Sequence, residues 1–428
     1  MSELNELEKT LVLAAAEADS GHQEPVEPAE TKPEFYKNLT QPERTTSSPE
    51  PDTPSNPNPK KRTRDSLEDS PPAKCPSTYS NVIANHYNQL EEKGIQERFK
   101  SRIVYLRNFH NWIKSMLINE YLSKIKTNKK QYNAAIRVHD MCCGKGGDLS
   151  KWKKGGITHL ICSDIASVSL EQCRARYEDI RNHSRDRQPL FTTEFIEGDC
   201  TRVRLREKYS DPSIGLDLVS CQFSFHYSFE SLPQLECILR NAAECLQPGG
   251  YFIGTIPDAY ELVARARKHG SQTYGNDVYE VSIDFDVHKP PLFGAKYNFQ
   301  LDGVVNNCPE FLVYFPVLVK LAKKYGLRLV RADKFQDYFE RMKEEGMHLL
   351  RNMRSLEGFP PPESCRLNGS EEDYEHAKEY VGKDSRRNVL VGTLSKSEWE
   401  VSSIYKTFAF EKMKRVSMKE DGTPIFEI

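Results

Sequence analysis

The pattern of apolar and polar positions changes at Tyr79. Beyond it, segments with apolar side chains at helical spacing alternate with short apolar runs that end in polar residues. We predict strands that end near Met141, Asp164 and Asp199, with a helix from Val168 to Arg181 between the second and the third. Strands and helices that alternate in this way are typical of a parallel, doubly wound α/β sheet.

The second half of the chain begins with the same pattern and then becomes irregular. We predict strands over "LDLVSCQF" and "GYFIGTIP", with a helix through Leu246 between them. After Asp258 we predict, in order, a strand-rich insertion over Tyr279 to Leu301, the apolar run "EFLVYFPVLVKLAKKYG", a strand "LRLVRADKF", a charged helix over Asp337 to Leu356 and a closing strand "SIYKTFAFEK". We expect the last two strands to pair as an antiparallel hairpin, and the insertions to cap the carboxyl edge of the sheet.

Residues 1–78 differ in composition from the rest. They hold about half of the 25 prolines, many Glu, Ser and Thr, and few aromatic residues. A segment of this composition cannot bury enough apolar surface to fold alone. We therefore predict a disordered regulatory and targeting tail before one folded domain over 79–428. The whole chain has a formal charge of −2, and the tail is acidic, so the folded part is mildly basic.

Three features of the tail suggest regulation. Leu4, Leu7 and Leu11 share one helical face, which is either a short docking helix or nascent helix without a partner. Ser48, Thr53 and Ser70 precede proline, and we hypothesise that they are phosphorylated. A compact basic cluster consists of Lys60, Lys61, Arg62 and Arg64. It is interpreted either as a nuclear localisation signal bound by an import receptor or as a solvated charge run.

Several classes of protein are disfavoured. The eleven cysteines have no CxxC spacing, and no cationic and apolar signal segment opens the sequence. We therefore expect a reducing compartment and no metal site. No segment approaches the roughly 18 to 20 apolar residues of a membrane span.

The stretch "HDMCCGKGGDLSKW" is the candidate for ligand binding. It lacks the GxxxxGK order of a phosphate-binding P-loop. It matches a dinucleotide fingerprint only in part, because Cys142 occupies the first glycine position ahead of Gly144 and Gly147. The stretch alone therefore does not identify its ligand.

Polar residues at successive strand ends favour a nucleotide-like cofactor. Ligands of doubly wound sheets lie beyond the carboxyl ends of the strands. Asp164 ends the second predicted strand and can bind a ribose diol, whereas Asp199 ends the third and can bind an adenine amino group. The fourth strand leads into Gln222, His226 and Tyr227 at the same edge.

These residues and several longer motifs resemble one family. "CGKGGDLSKW", "SDIASVSLEQCRARYED", "CQFSFHYSFES", "LQPGGYFIGTIPD", "PEFLVYFP" and "SKSEWEVSSIYKTFAFEK" closely resemble the animal mRNA cap guanine-N7 methyltransferases, from about residue 80 to residue 415. The resemblance implies a Rossmann-like class I methyltransferase with a mostly parallel seven-stranded sheet, a helical lead-in and cap-binding insertions. It also implies an enzyme that moves a methyl group from S-adenosylmethionine to N7 of the mRNA cap guanosine, without a metal.

The resemblance carries two sets of site residues over to this chain. The cofactor set is Lys114, Cys142, Asp164, Asp199, Gln222 and Tyr227. The cap set is His110, Asn111, Lys145, Lys151, Arg176, His226, Glu310 and Tyr405. Cationic members suit the cap triphosphate, Glu310 suits the N–H groups of guanine, and Tyr405 and His226 can contact the base. Simpler alternatives stay open: His226 and Tyr405 as core residues, Glu310 as a helix cap and Lys151 on a solvated helix face.

One departure from the family pattern concerns the cofactor loop. The family usually has "LDLGCGKGGD", whereas this chain has His139, Met141 and Cys142 in place of Leu, Leu and Gly. Glycine accepts a positive φ and lets the backbone approach a ligand, so we predict weaker cofactor binding than in the glycine form. Unchanged binding in Cys142→Gly would refute this prediction. Cys142 also leaves open a silent cap- or cofactor-binding subunit, beside a class I methyltransferase for another substrate.

The implied reaction needs few chemical groups. Guanine N7 is unprotonated at neutral pH, so we expect no catalytic acid or base and expect catalysis by proximity and electrostatics. The resemblance further implies mRNA processing in the nucleus beside the transcription machinery, and a small activating protein. The charged helix over 336–355 is either a docking surface or a plain solvent-facing helix.

Overall fold

The computed structural model describes residues 79–89, 97, 100–129, 134–183, 190–363, 365–383, 390–418 and 424–427. The docking helix, the basic cluster and the phosphorylation sites predicted in the tail lie outside these residues. None of the helices that are described is long and apolar enough to cross a membrane.

The elements are numbered in chain order. The α-helices are α1 Tyr79–Gln89, α2 Val104–Lys129, α3 Leu149–Lys154, α4 Ser167–Asn182, α5 Leu232–Ala243, α6 Ala259–His269, α7 Phe315–Lys324, α8 Phe335–Asn352, α9 Glu375–Lys383 and α10 Lys396–Ser402. The strands are β1 Arg137–Met141, β2 His159–Asp164, β3 Thr192–Glu197, β4 Leu216–Gln222, β5 Leu246–Pro257, β6 Thr273–Gly275, β7 Tyr279–Ile283, β8 Lys296–Leu301, β9 Val305–Phe311, β10 Leu327–Lys334, β11 Glu357–Phe359, β12 Val391–Thr393, β13 Tyr405–Lys412, β14 Arg415–Met418 and β15 Pro424–Phe426.

The main sheet confirms the fold predicted from the sequence. Among the described residues, seven strands form it in the order β10-β13-β5-β4-β1-β2-β3. The strands from β3 to β5 run parallel, whereas β13 is antiparallel to both of its neighbours, β5 and β10. All seven residues of β4 are buried, as expected of a central strand covered by helices on both faces.

The insertion after β5 forms a second sheet. Its strands β6, β7, β8 and β9 follow one another in an antiparallel meander. Glu310 lies near the end of β9 and pairs with Tyr297 of β8. Because α7 follows β9 directly and leads into β10, this sheet is fixed beside the main sheet.

Helix α8 is the charged helix predicted near residue 337. It is amphipathic, and its buried face includes Phe335, Tyr338 and Met342. The indole of Trp112 on the buried helix α2 donates a hydrogen bond to the carbonyl of Gly346, with a length of 3.1 Å. The helix is therefore a packed layer of the fold with one polar face, and it begins two residues earlier than expected.

The predicted boundaries of β3 and α5 were also wrong. β3 ends at Glu197, so Asp199 lies in the loop beyond the strand. Helix α5 ends at Ala243, and Leu246 already belongs to β5, because the "LQPGG" segment joins the sheet and not the helix. Both errors fall where a turn follows an apolar run, which periodicity alone does not resolve.

Candidate active site

The loop after β1 forms the floor of the candidate site. Cys142 has a φ of 59°, the left-handed conformation that favours glycine, so its side chain is held with backbone strain. Gly146 has a φ of 73°, and a Cβ atom there would lie 2.7 Å from the sulfur of Cys173. The loop therefore depends on glycine at Gly146 and tolerates Cys142 at a cost.

Asp164, the last residue of β2, binds the backbone of this loop. Its Oδ2 accepts a hydrogen bond from the amide of Gly144, and its Oδ1 accepts one from the amide of Ala166, each 2.8 Å long. Burial, helped by the neighbouring Cys142 sulfur, raises the pKa of Asp164 to about 7. Each oxygen retains acceptor capacity for a further donor.

Asp199 and Gln222 continue the same edge. The Oδ1 of Asp199 accepts hydrogen bonds from the amide and the hydroxyl of Thr201, at 2.9 and 2.6 Å. Its Oδ2 is buried and has no hydrogen-bond partner within the described residues, although the guanidinium of Arg202 lies 3.4 Å away. The amide group of Gln222 is held by Ser220 and Thr255.

A buried carboxylate binds two lysines beside the loop. Lys114 and Lys151 approach the Oδ1 of Asp148 at 2.8 and 2.7 Å. Burial opposes ionisation of Asp148, but the two ammonium groups hold its pKa below the usual range. Lys151 also donates to the Oδ1 of Asn111, at 3.2 Å. Lys151 and Asn111 thus support the loop from behind.

Aromatic rings pack behind Phe223, which lines the site. The imidazole of His110 stacks on Phe223 with centroids 5.4 Å apart, and it meets Tyr405 edge to face at the same distance. Tyr405 also stacks on Phe335. Burial and the nearby Lys114 lower the pKa of His110 to about 3, so this histidine is neutral at pH 7.

The buried side chains of His226 and Glu310 lie behind Tyr227. The rings of His226 and Tyr227 are 4.3 Å apart. The carboxylate of Glu310 accepts a 2.6 Å hydrogen bond from the hydroxyl of Tyr297, and its other oxygen lies 3.5 Å from Nε2 of His226. Within the described residues neither ring nitrogen of His226 has a hydrogen-bond partner, although the side chain is only 2% exposed.

Helix α1 covers the site and was not predicted as part of it. The hydroxyls of Tyr87 and Tyr227 are 2.9 Å apart. Asn88 accepts a hydrogen bond from the amide of Val168 at the start of α4, and Ile83 is buried. The helical pattern of this segment signalled a helix, but nothing in its sequence indicated which surface it would cover.

These groups surround a cavity of about 440 Å³. The predicted residues that line it are Lys114, Cys142, Lys145, Asp164, Arg176, Asp199, Gln222 and Tyr227. The predicted residues that lie behind this lining are His110, Asn111, Lys151, His226, Glu310 and Tyr405. Lining residues that the sequence analysis missed include Ser80, Ile83, Tyr87, Arg107, Phe223 and Val304.

The chain is similar to proteins of one kind. The family model described as the mRNA (guanine-N(7))-methyltransferase domain matches residues 73–413. The mRNA cap guanine-N(7) methyltransferase of Drosophila melanogaster is 53% identical, covering 81% of this chain and 80% of that protein. The Caenorhabditis elegans protein of the same name is 39% identical, covering 81% and 90%. A solved S-adenosylmethionine-dependent methyltransferase from Clostridium acetobutylicum is 12% identical, with a TM-score of 0.38, and covers 71% and 92%.

Proposed function

This chain belongs to the mRNA (guanine-N(7))-methyltransferase family, and we propose that its cavity holds S-adenosylmethionine next to the capped end of an mRNA. The protein is an enzyme of mRNA processing that methylates N7 of the cap guanosine. The observation that carries the site assignment is the buried imidazole of His226, whose ring nitrogens have no hydrogen-bond partner among the described residues and which lies 3.5 Å from the carboxylate of Glu310, beside a cavity edged by Asp164 and Asp199.

The residues around the cavity fit the cofactor. S-adenosylmethionine supplies an electrophilic methyl group on a sulfonium. Asp164 accepts hydrogen bonds from the ribose hydroxyls. The Oδ2 of Asp199, which has no hydrogen-bond partner in the described part of the chain, accepts one from the adenine amino group. Lys114, Gln222, Tyr227 and the backbone at Cys142 complete the binding surface. The left-handed backbone at Cys142 supports the expectation that this chain binds the cofactor more weakly than a form with glycine.

Guanine is recognised by the buried pair. Glu310 is 5% exposed, and among the described residues the hydroxyl of Tyr297 donates a hydrogen bond to one of its carboxylate oxygens. The carboxylate keeps acceptor capacity for the ring and exocyclic N–H groups of guanine. Adenine lacks that pair of donors. His226 offers a ring nitrogen to the same base, and the aromatic rings of His110 and Tyr405 support the neighbouring surface.

The phosphates of the cap bind at the open side of the cavity. Lys145 and Arg176 line it and attract the triphosphate. Lys151 acts differently from the sequence expectation. Its ammonium is bound to Asp148, Asn111 and the carbonyl of Gly147, so it contributes by holding the loop and by its charge.

The main task of the site is to position the guanine base and the methyl donor. Guanine N7 has no proton to lose, so the protein's task is to hold the base in line with the methyl donor, which contributes up to about 7 to 11 kcal/mol to lowering the barrier. Positive charge grows on the guanine during transfer, and the carboxylate of Glu310 stabilises it. His110, neutral at pH 7, adds no charge that would oppose this change.

The organisation of the rest of the chain follows from the same proposal. Residues 79–428 constitute the mRNA cap 0 methyltransferase domain and residues 1–78 a regulatory and targeting tail, which the match over 73–413 supports. The protein works in the nucleus, is imported through the basic cluster Lys60 to Arg64, and acts with a small activating protein near the transcription machinery. The polar face of α8 is the proposed docking surface.

Transfer of labelled methyl from S-adenosylmethionine to capped RNA tests the function. We expect label at guanine N7 of GpppG-capped RNA and none on ApppG-capped or uncapped RNA. Labelling of all three substrates would contradict guanine recognition by Glu310 and His226. Binding of capped RNA with no transfer would show a silent binding subunit instead.

A further inference from the structure

Two thiols meet on the floor of the cavity. The sulfur atoms of Cys142 and Cys200 are 3.4 Å apart, and both residues line the cavity. Cys142 follows β1 and Cys200 follows β3, so their contact joins two loops. A disulfide bond is about 2.05 Å long, so closing this one needs the sulfurs to approach by about 1.4 Å.

We propose that Cys142 and Cys200 form a peroxide-sensitive modification site, at which oxidation to a disulfide distorts the cavity and stops methyl transfer. The effect on transfer rests on the proposed function of the cavity, whereas formation of the disulfide does not.

The two cysteines differ in a way that assigns their roles. Cys142 is half-buried at the cavity, and Cys200 is buried. Hydrogen bonds from the thiols of Cys200 and Cys221 lower the pKa of Cys142, whereas hydrogen bonding to Cys142 and burial raise the pKa of Cys200. The thiolate is the reactive form, so Cys142 is the thiol that reacts first with a small oxidant, and Cys200 completes the bridge.

The chemistry balances with hydrogen peroxide as the oxidant. The Cys142 thiolate attacks one peroxide oxygen, the O–O bond breaks, and hydroxide leaves and takes up a proton to become water. Cys142 then carries a sulfenic acid. The sulfur of Cys200 attacks the Cys142 sulfur, the S–O bond breaks, and a second water leaves with the Cys200 proton. Two thiols lose two electrons in total, and one peroxide is reduced to two waters.

Cys200 is the expected partner because of where each thiol is anchored. Cys221 also contacts Cys142, but it belongs to β4, which is paired on both sides within the main sheet. Cys200 lies in a loop beyond β3. A separate group of thiols, Cys143, Cys162 and Cys173, has sulfur atoms within 4.8 Å of one another and provides the competing outcome.

Bridge formation displaces groups that hold the cofactor. The carbonyl of Cys200 accepts a 2.7 Å hydrogen bond from Asn241, which restrains this loop, so the Cys142 loop takes up much of the movement. The next residues along that loop are bound through Cys143 to Ser163 and through Gly144 to Asp164. Methyl transfer is sensitive to displacements of about 1 Å, which can cost on the order of 100-fold in rate.

The test treats the full-length enzyme with hydrogen peroxide, blocks the remaining thiols, and measures intact mass, cross-linked peptides and methyl transfer in parallel. We expect a mass lower by two hydrogen atoms, a peptide joining Cys142 to Cys200, and activity reduced on the order of 100-fold and restored by dithiothreitol. S-adenosylhomocysteine bound beforehand should slow the oxidation, because it covers Cys142.

Variants separate this site from general oxidative damage, each compared with its own untreated sample. Cys142→Gly should form no bridge and keep its activity in peroxide. Cys200→Ser should form no bridge and stop at the sulfenic acid of Cys142, a mass gain of one oxygen atom. Cys245→Ser, which removes a buried thiol just before β5 at the opposite edge of the sheet, should respond like the parent.

Three results would overturn the proposal: a bridge between other cysteines, inactivation with no bridge, or a bridge with unchanged activity. If the untreated enzyme methylated no capped RNA, the proposed function would fail. The mass measurement and calorimetric binding of S-adenosylhomocysteine, before and after oxidation, would still decide whether the bridge forms and alters the cavity.

Discussion

At the scale of single residues, the proposed ligand-binding side chains include those whose polar atoms the fold leaves unsatisfied. Both ring nitrogens of His226 and the Oδ2 of Asp199 are buried without a hydrogen-bond partner in the part of the chain that the structure describes. Each such atom costs about 1 to 3 kcal/mol of folding free energy. A ligand that supplies the missing partners recovers this cost, which makes these atoms effective points of recognition.

Glu310→Gln tests guanine recognition. The substitution replaces one acceptor oxygen by an amide donor facing the donors of guanine, so we expect kcat/KM for capped RNA to fall on the order of 100-fold, with unchanged affinity for S-adenosylhomocysteine. Glu357→Gln is the matched control, since Glu357 is another buried carboxylate bound to a tyrosine, Tyr374, and it lies on β11. Equal losses in both variants would indicate a general effect on folding.

Asp164 predicts how cofactor affinity depends on pH. Its pKa is about 7 in the folded chain, and the ionised form is the better acceptor for ribose hydroxyls. We therefore expect the affinity for S-adenosylhomocysteine, measured by calorimetry, to rise about tenfold between pH 6 and pH 8. Asp164→Asn should bind weakly with a flat pH profile. Asp217→Asn, which alters a buried aspartate at the start of β4, should keep the profile.

The raised pKa of Asp164 also affects the free energy of unfolding, which falls as the pH rises, whereas cofactor affinity rises with pH. Asp164 has a raised pKa, so its contribution to the free energy of unfolding is present below about pH 4, the ordinary range of the group, and is lost as the pH rises towards 7. In the folded chain, ionising this buried carboxyl costs free energy. In the unfolded chain the same group ionises in water without that cost. Cofactor binding therefore offsets a cost that the folded protein carries at neutral pH.

His139 predicts acid sensitivity. Its ring nitrogens contact the hydroxyls of Ser163 and Tyr209 at 2.8 and 3.1 Å, and burial lowers its pKa to about 3. The unfolded chain takes up a proton below about pH 6.5 and the folded chain does not, so stability falls as the pH drops below that value. The expected slope is up to about 1.4 kcal/mol of unfolding free energy per pH unit.

His139→Leu, which replaces the imidazole by an apolar side chain, should remove this part of the slope. Denaturant unfolding at pH 5 to 7 measures it. Because His110 has a similarly lowered pKa, some acid sensitivity should persist in the variant. A slope unaffected by the substitution would mean that His139 is not protonated on unfolding in this range.

At the level of elements, α1 is a part of the site that buries few side chains, since Ser80 and Ile83 are its buried residues. It contributes Ile83 and Tyr87 to the cavity, but as a single short helix its packing depends on few buried residues. Burial of one isoleucine stabilises a structure by roughly 2 to 3 kcal/mol. The cover over the cavity is therefore more easily lost than the sheet beneath it.

Ile83→Ala should detach α1 without unfolding the domain. We expect KM values for S-adenosylmethionine and capped RNA to rise about tenfold, with a nearly unchanged midpoint of thermal unfolding. Val82→Ala is the control on the same helix, since Val82 is 51% exposed and should leave both values unchanged. A large drop in the unfolding midpoint would show instead that α1 is integral to the core.

The elements also show where sequence patterns succeed. The parallel strands were predicted because central strands such as β4 are continuous apolar runs that end in polar residues. The antiparallel pairing of β10 and β13, predicted from two alternating strands near the end of the chain, is confirmed. The two strands do not form a hairpin, because α8 to α10 lie between them in the chain. The pairing of Glu310 with Tyr297 depends on the register of β8 and β9, which their sequences do not specify.

At the scale of the whole molecule, charge should control RNA binding more than cofactor binding. Cationic groups that neutralise phosphates release counterions, so the logarithm of affinity falls with the logarithm of salt concentration by about 0.7 for each phosphate of a single strand. Lys145→Ala and Arg176→Ala should each lower this slope by about that amount in binding titrations with capped RNA.

Lys154→Ala is the control for this prediction, because Lys154 is exposed on α3 and does not line the cavity. It should leave the salt dependence of RNA binding unchanged. None of the three substitutions should change the salt dependence of S-adenosylhomocysteine binding. An equal effect of all three on the slope would show that RNA responds to the general basic charge of the domain.

Local sequence patterns specified the chain order of the main-sheet strands, the α/β class and the carboxylates near the strand ends, because these follow from periodicity and from the rule that ligands lie at the carboxyl edge. The folded chain was needed to show that Lys114 is bound by Asp148, that Tyr87 covers the cavity and that Cys142 contacts Cys200. Each of these contacts joins elements whose relative positions depend on packing between distant segments, and local patterns carry no information on that packing.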